Sequence, residues 1–411
     1  MRSRQQKMLL GLSGLVAAAV AGDIRFPDAW ASEQIPLESE NCTISHMSRY
    51  DEARRGAPIF LSTNPLDHFE KPSVEPLNTT TGEQWEFDGI SEDGRQAFMI
   101  GFYRDTSFAF MGTGNLRFYF EYAFPNGTRH AVVHYAESST IETCAGRGTR
   151  GVWRGHDWTY SFEVSDDMSQ TRISMDGPEE KAAISMNSLA PPRYANNEIW
   201  PSSNGDTEPV PFFHWVEPVP VADARIDGVV AGEAVSWIGM GGHERLWGAY
   251  SWYTCVASMT AVRLHTGPYA LSLVEFGSNR EHDTIVPSVI MAEDGKVIFS
   301  TRRAAPHENE DWMQVRKLYG ADGITTEQLA DKATGFRLTL HSPAGGKTWK
   351  FEVKHLNIGF EYPFGEGVGS TGYSGLAEGG LVGAKTHHGP AYTEIMKFPK
   401  KSWLLARSPI R

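Results

Sequence analysis

The sequence predicts an all-β protein, with antiparallel strands closed into barrels or sandwiches in two consecutive domains and few short helices. Alternation of apolar and polar residues at strand period along most of the chain is the first reason. Short polar turns such as Pro125-Asn126-Gly127-Thr128 separate the alternating runs. Phe, Tyr and Trp make up 11% of the 411 residues, which suits pleated, half-buried surfaces. A chain of this length also exceeds one ordinary core.

The runs follow in order. In NLRFYFEYAF, Leu116, Phe118, Phe120 and Tyr122 face one way, and Arg117, Tyr119 and Glu121 the other. The Pro125–Thr128 turn leads into HAVVHYAE, which completes a hairpin. WTYSFEVS, TRISMD and KAAISMNS continue the pattern. Ala190–Phe213, rich in Pro, Asn and Ser, breaks it as a linker or a long covering loop. The domain division is placed near it, giving an N-terminal domain at 40–225 and a C-terminal domain at 226–411. YALSLVEFGS, KVIFSTRRA, FRLTLHSP and TWKFEVKHL restore the alternation, and AYTEIMKF supplies a last strand. The glycine-heavy stretch before it, GEGVGSTGYSGLAEGGLVGAKTHHG, reads as irregular. DWMQVRKLY and TTEQLADKA are the best helical candidates.

Charge and processing signals bound the function. The net charge is −12, from 38 basic and 50 acidic residues, which argues against nucleic-acid binding. Arg2, Arg4 and Lys7 precede a charge-free run from Met8 to Gly22. Ala19-Val20-Ala21 and Ala29-Trp30-Ala31 have the form of cleavage sites, so residues 1–31 read as a signal peptide or signal anchor. The run is shorter than the ~20 apolar residues of a membrane span, and none other is long enough. Sequons at Asn41, Asn78 and Asn126 are candidate glycosylation sites. A secretory or vesicular location follows, or a cytoplasmic one if the segment is not functional. Cys42, Cys144 and Cys255 allow at most one disulfide.

The usual catalytic motifs are missing from the sequence: no G-x-S-x-G, no P-loop and no C-x-x-C. GMGGHE has Glu244 where a dinucleotide fingerprint needs glycine. His387-His388 lies on a glycine-rich loop and is assigned no metal. Two stretches stand out. In WEFD, Glu86 lies between Trp85 and Phe87, so it faces away from both. Turned inward, its pKa would rise and it would donate a hydrogen bond. In GGHERLWGAYSW, His243, Glu244 and Arg245 precede Trp247 and Trp252. This is either a self-satisfied buried charge cluster with core tryptophans or a pocket wall. Trp349 alternates with Phe351 and Val353 and reads as core or pocket.

The WEFD turn, the following FYRD, the FPNGT turn, GGHERLWGAYSW, HTGPYALSLVEFGS and SGLAEGGLVGAK, in that order, resemble the fungal Diels–Alderases. Those enzymes act in polyketide–nonribosomal peptide pathways and are distant relatives of hydroxyneurosporene-forming carotenoid hydratases. The resemblance runs from about residue 60 to the end. It implies two lipocalin-like β-barrel domains with a pocket in and between them. It also implies an intramolecular [4+2] cycloaddition of a linear, hydrophobic polyene, without metal or cofactor. The product would be a decalin tetramate or a cytochalasan-type macrocycle with its isoindolone. Carried onto this chain, the resemblance gives Glu86, Tyr103 and Glu121 as catalytic, with Tyr119 binding substrate. Relatives place an acid and an amide where this chain has Tyr119 and Glu121. Trp247 and Trp349 map to pocket aromatics, and His214 and Trp215 stand where relatives place tyrosines. Alanine at Trp247 or Trp349 would then damage rate or stereoselectivity more than folding.

Three other functions compete. A non-catalytic lipocalin-like carrier would bind the polyene unchanged. A hydratase would use an acid such as Glu244 to protonate an alkene, adding the mass of water. A carbohydrate-binding sandwich would use exposed tryptophans.

Overall fold

The computed structural model describes residues 42–49, 58–75, 77, 81–105, 115–281, 284–320 and 322–399. The segment 1–31 and the sequons at Asn41 and Asn78 lie outside the described residues. Asn126 is exposed at a hairpin turn, where its Oδ1 accepts from the Thr128 amide at 2.9 Å.

Strands dominate. In chain order they are β1 (Cys42–Ser48), β2 (Phe60–Leu61), β3 (Val74–Glu75), β4 (Gly82–Ser91), β5 (Ala97–Asp105), β6 (Leu116–Ala123), β7 (Arg129–Tyr135), β8 (Ser138–Cys144), β9 (Gly148–Arg154), β10 (Thr159–Val164), β11 (Gln170–Asp176), β12 (Glu180–Ser188), β13 (Arg193–Tyr194), β14 (His214–Val230) and β15 (Glu233–Gly248). After a 3-10 turn at Trp252–Thr254 come β16 (Val256–Thr266), β17 (Tyr269–Ser278), β18 (Ile285–Glu293), β19 (Lys296–Thr301), β20 (Trp312–Leu318), β21 (Gly335–Ser342), β22 (Lys347–Gly365), β23 (Val368–Leu381) and β24 (His387–Lys397).

They form a 13-stranded sheet curled into a half-barrel, a nine-stranded sheet that nearly closes on itself, and the small β2–β3 pair. The larger sheet runs β1-β8-β9-β10-β11-β12-β14-β15-β4-β5-β6-β7, with β13 on β14. The smaller runs β19-β18-β17-β16-β24-β23-β22-β21-β20. Trp85, Phe87, Phe102, Phe118, Trp153 and Phe162 fill the hollow of the larger sheet. Val262, Leu273, Met291, Phe336, Phe351 and Val353 fill the smaller. A third cluster, with Ile90, Met99, Tyr103, Tyr119, Phe360 and Tyr392, draws on both sheets. Strands β4, β5 and β6 are therefore buried on both faces.

The described residues contain no α-helix, which corrects the expected short helices. DWMQVRKLY forms β20, because Met313 and Val315 alternate against Leu340 and Leu338 of β21. TTEQLADKA is a loop held by Thr326, whose Oγ1 accepts from the Gln328 and Leu329 amides at 3.1 and 3.2 Å. It is too short to repay helix nucleation. The glycine-rich stretch read as irregular contains β23. At Gly372 any Cβ would collide with the Phe360 ring, so glycine lets a bulged strand pass close to an aromatic.

The passage between the two sheets falls after Gly248, whereas the sequence division at 225/226 lies inside β14. Pairing to β15 continues across it, through Arg225–Ile238 and Ile226–Trp237. Residues 190–213 act as a covering loop rather than a linker. Its Asn197 Nδ2 donates to the carbonyls of Val289 and Thr301 at 3.1 and 2.9 Å, tying the loop to the smaller sheet.

Candidate functional site

Strand alternation sorts the singled-out residues onto two faces. On β4, Trp85 and Phe87 enter the half-barrel core, and Glu86 faces the smaller sheet. On β15, His243, Arg245 and Trp247 go inward, and Glu244 and Leu246 go the other way.

Register then assembles the outward face. Glu244 is paired with Glu86, Glu86 with Gly101, and Gly101 with Tyr119, one row across β15, β4, β5 and β6. The neighbouring rows are Leu246–Gln84–Tyr103–Arg117 and Gly242–Asp88–Met99–Glu121. Opposite them stand Arg263 of β16, Tyr362 of β22, and Tyr392 and Glu394 of β24. Tyr119 and Tyr362 meet edge to face with centroids 5.3 Å apart.

Four acids of this region carry a neutral donor. Tyr103 Oη donates to Glu86 Oε1 at 3.1 Å. Trp215 Nε1 donates to Glu244 Oε2 at 2.7 Å. Ser370 Oγ and Tyr392 Oη donate to Glu394 at 2.6 and 2.8 Å. Tyr119 Oη donates to Glu121, which also accepts from Arg129 Nη1 at 2.8 Å. Among the described residues, the other oxygen of Glu86 and of Glu244 has no hydrogen-bond partner.

Glu86 and Glu244 keep partial exposure, whereas Trp85, Phe87, His243 and Arg245, beside them in sequence, are sealed. Burial lifts the Glu86 carboxyl well above the usual range, and the nearby Glu244 and Glu394 lift it further. Burial also pushes Glu244 up to about 8, against the Trp215 bond and the Arg263 charge. Glu394 is raised by burial, and its bonds from Ser370 and Tyr392 offset part of that. Glu121 is likewise raised by burial, with the Tyr119 bond and Arg129 opposing. Both shifts favour the carboxylic acid over the carboxylate, the form that can donate a proton into a hydrogen bond.

A recess beside Glu244 is lined by Asp88, Glu217, Arg263, Ser272 and Tyr392. Its cavity volume is about 10 Å³, room for about one water. Drug-sized sites hold roughly 300–1,000 Å³, so this recess takes a water or one small polar group, not a polyene. Its floor is an ion network. Arg263 binds Asp88, and it binds Glu217 at 3.3 Å; Arg193 Nε binds Glu217 at 2.5 Å.

The structure thus brings Glu86, Tyr103, Tyr119, Glu121 and Trp215 to one inter-sheet region. It does not bring His214, Trp247 or Trp349 there. His214 and Trp247 stack at 5.3 Å, and Trp247 Nε1 donates to the Ser62 carbonyl at 3.1 Å. Trp349 lies in the core of the smaller sheet with its ring edge-on to Phe299. His243 and Arg245 form a buried charge cluster, pairing with Glu70 and Glu83 at 2.9 and 3.1 Å, although Glu70 Oε2, Glu83 Oε1 and Arg245 Nε keep no hydrogen-bond partner among the described residues. Sequence reading did not single out Tyr362, Tyr392, Glu394, Arg263 or Glu217. The signal for two of them was present as alternation in AYTEIMKF, where Tyr392 and Glu394 share a face.

Among the described residues, the trio of donor side chains close enough for a metal ion is Cys42, Glu142 and Cys144, whose two thiols form a disulfide. No helix among them is long and apolar enough to cross a membrane.

A family model described as Diels-Alderase-like matches residues 39–399. The chain is 46% identical over 382 residues to Diels-Alderase cheD of Chaetomium globosum, covering 93% of this chain and 88% of that one. It is 44% identical over 402 residues to Diels-Alderase ffsF of Aspergillus flavipes, covering 97% of each. The crystal structure of CghA with Sch210972 superposes with a TM-score of 0.74 at 24% identity, covering 87% of this chain and 100% of that one. That last likeness speaks to the fold.

Proposed function

The chain belongs to the Diels-Alderase-like family, and from that membership we propose that its inter-sheet acids assist an intramolecular [4+2] cycloaddition. It is a pericyclase acting on a small molecule. The proposed substrate is a linear polyene from a hybrid polyketide–nonribosomal peptide assembly line. The proposed product is a cytochalasan-type macrocycle with its isoindolone, or a decalin tetramate.

The observation that carries the mechanism is the Glu86–Glu244 pair, each acid holding a neutral donor on one oxygen while the other has no partner among the described residues. In the reaction two C–C bonds form from a diene and a dienophile, and no atom is lost. A carbonyl conjugated to the dienophile accepts a hydrogen bond from a neutral carboxyl, which lowers the acceptor orbital. Charge moves onto that oxygen in the transition state, so the bond strengthens there. One preorganised donor of this kind is worth roughly 10²–10³-fold. Tyr119, Tyr362 and Tyr392 supply aromatic walls that restrict the chain's fold, the entropic part of the acceleration.

Incubating the protein with the linear precursor tests this. One diastereomer of unchanged mass, formed faster than in buffer, is expected. Binding without conversion would mean a carrier, and a product heavier by water would mean a hydratase.

Maturation in an oxidising, secretory compartment is part of the same proposal. The Cys42–Cys144 disulfide, the exposed sequon at Asn126 and the signal-like segment support it.

A further inference from the structure

We propose that Gly101 is a positioning residue: its missing side chain lets the Tyr103 phenol lie against Glu86 and so decides which carboxyl oxygen presents the proton. The inference rests on the reading of Glu86 given above. Gly101 sits between Glu86 and Tyr119 in the cross-strand row, on the ligand-facing side. Any other residue there would project its side chain between those two. Tyr103 belongs to the next row, opposite Gln84 and Arg117. Its ring leans back along the strand into the vacant position, and a Cβ on residue 101 would overlap its Cε2 and hydroxyl. The Arg117 guanidinium lies 4.3 Å from the ring centroid. The Trp153 indole donates to the Tyr103 carbonyl at 3.2 Å, fixing the strand beneath.

The chemical consequence follows from hydrogen-bond polarity. The phenol donates to Glu86 Oε1. In the neutral acid the proton then resides on Oε2, the oxygen without a protein partner, and one donor direction is set for substrate. With the phenol displaced, either oxygen can carry the proton and the direction is lost. The backbone at Gly101 is regular strand, so alanine fits the main chain and only the Tyr103 ring must move.

The test uses the full chain with Gly101→Ala, Tyr103→Phe and the double variant. The readouts are kcat/KM, the product diastereomer ratio, the thermal midpoint, and a crystal structure of the Gly101→Ala protein. All three variants are expected to fold and to lose about two- to tenfold in rate, with eroded diastereoselectivity. The double variant is expected to be no worse than Tyr103→Phe, because both changes remove one contact. A Gly101→Ala protein that matches the parent while Tyr103→Phe is impaired overturns the inference, as do additive losses. If Tyr103→Phe matches the parent, the acid–phenol reading of the site fails. The crystal structure then still decides the positioning claim, which falls if the ring remains on Glu86.

Discussion

Glu86 and Glu244 stand directly opposite each other on adjacent antiparallel strands, with both carboxyls turned away from the half-barrel core. Opposed side chains in such a pair have Cβ atoms about 4.5–5.5 Å apart, and two ionised carboxylates there repel. Neither has an arginine bound to it, whereas Asp88 and Glu217, close by, do. Protonation relieves that repulsion, which favours the acid form of the pair. That favours a donor role for the pair, whereas Asp88, Glu217 and Glu83 nearby anchor ion pairs.

The rate carries the mark of this protonation. A donor must hold its proton, so kcat/KM is level at neutral pH and falls as pH rises through about 8, where Glu244 ionises. Glu244→Gln flattens that limb, because an amide donates without titrating and its carbonyl still accepts from Trp215. A pH–rate profile checks this. A limb unchanged in the variant would assign the titration to another group.

Stability carries the same mark with a defined sign. The unfolded chain ionises a glutamate near about 4.3. The folded protein keeps Glu244 protonated to about 8. Between those values the folded state binds one proton more, so stability is greatest at the acid end and declines as pH rises. Glu244→Gln reduces the slope by up to about 1.4 kcal/mol per pH unit. Urea denaturation at a series of pH values measures it.

Removing the disulfide acts on stability and not on the site. Cys42 and Cys144 pair across β1 and β8, and the bridge closes a separation of 102 residues at the sheet edge. Cys42→Ser with Cys144→Ser is expected to cost about 2–4 kcal/mol, and reductant should lower the parent's melting temperature alike. The product ratio below the melt should not change.

Trp349→Ala separates core from pocket. Its ring is buried among Leu340, Phe351 and Phe299. Truncation is expected to cost about 3–5 kcal/mol, with the diastereomer ratio of the folded fraction unchanged. Chemical denaturation and product analysis together check it. A selective change in the ratio at parental stability would move Trp349 to the substrate.

These outcomes mark what was legible in the chain. The period of two in WEFD was enough to turn Glu86 away from Trp85 and Phe87. It was not enough to say that both faces are buried, because that depends on a second sheet built from residues 256–397. The same alternation sends Trp247 and Glu244 to opposite sides, so one motif supplied both a core residue and a site residue. Tyr392, Glu394 and Arg263 meet the acids only through tertiary packing, which no local pattern encodes. That the division at 225/226 falls inside β14 has a similar cause. A Pro- and Asn-rich stretch resembles a linker by composition, yet Arg193 and Asn197 give it partners in both sheets.

Arg263 forms a buried ionic link between the two sheets, and its removal should show it. From β16 it reaches across to Asp88 of β4, to Glu217 of β14 at 3.3 Å and to the Pro220 carbonyl at 2.5 Å. All of these side chains are buried. Alanine at 263 leaves Asp88 without its cation and Glu217 with Arg193 alone, a loss of about 3–5 kcal/mol. Lysine keeps the charge but cannot fork to both acids, so it should recover only part. Adding Asp88→Asn to Arg263→Ala removes the orphaned charge and is expected to restore stability relative to the single variant. A double-mutant cycle by urea denaturation measures the coupling. Additive losses would show that the sheets are held by apolar packing around Met99, Phe360 and Tyr392 instead of by this ion network.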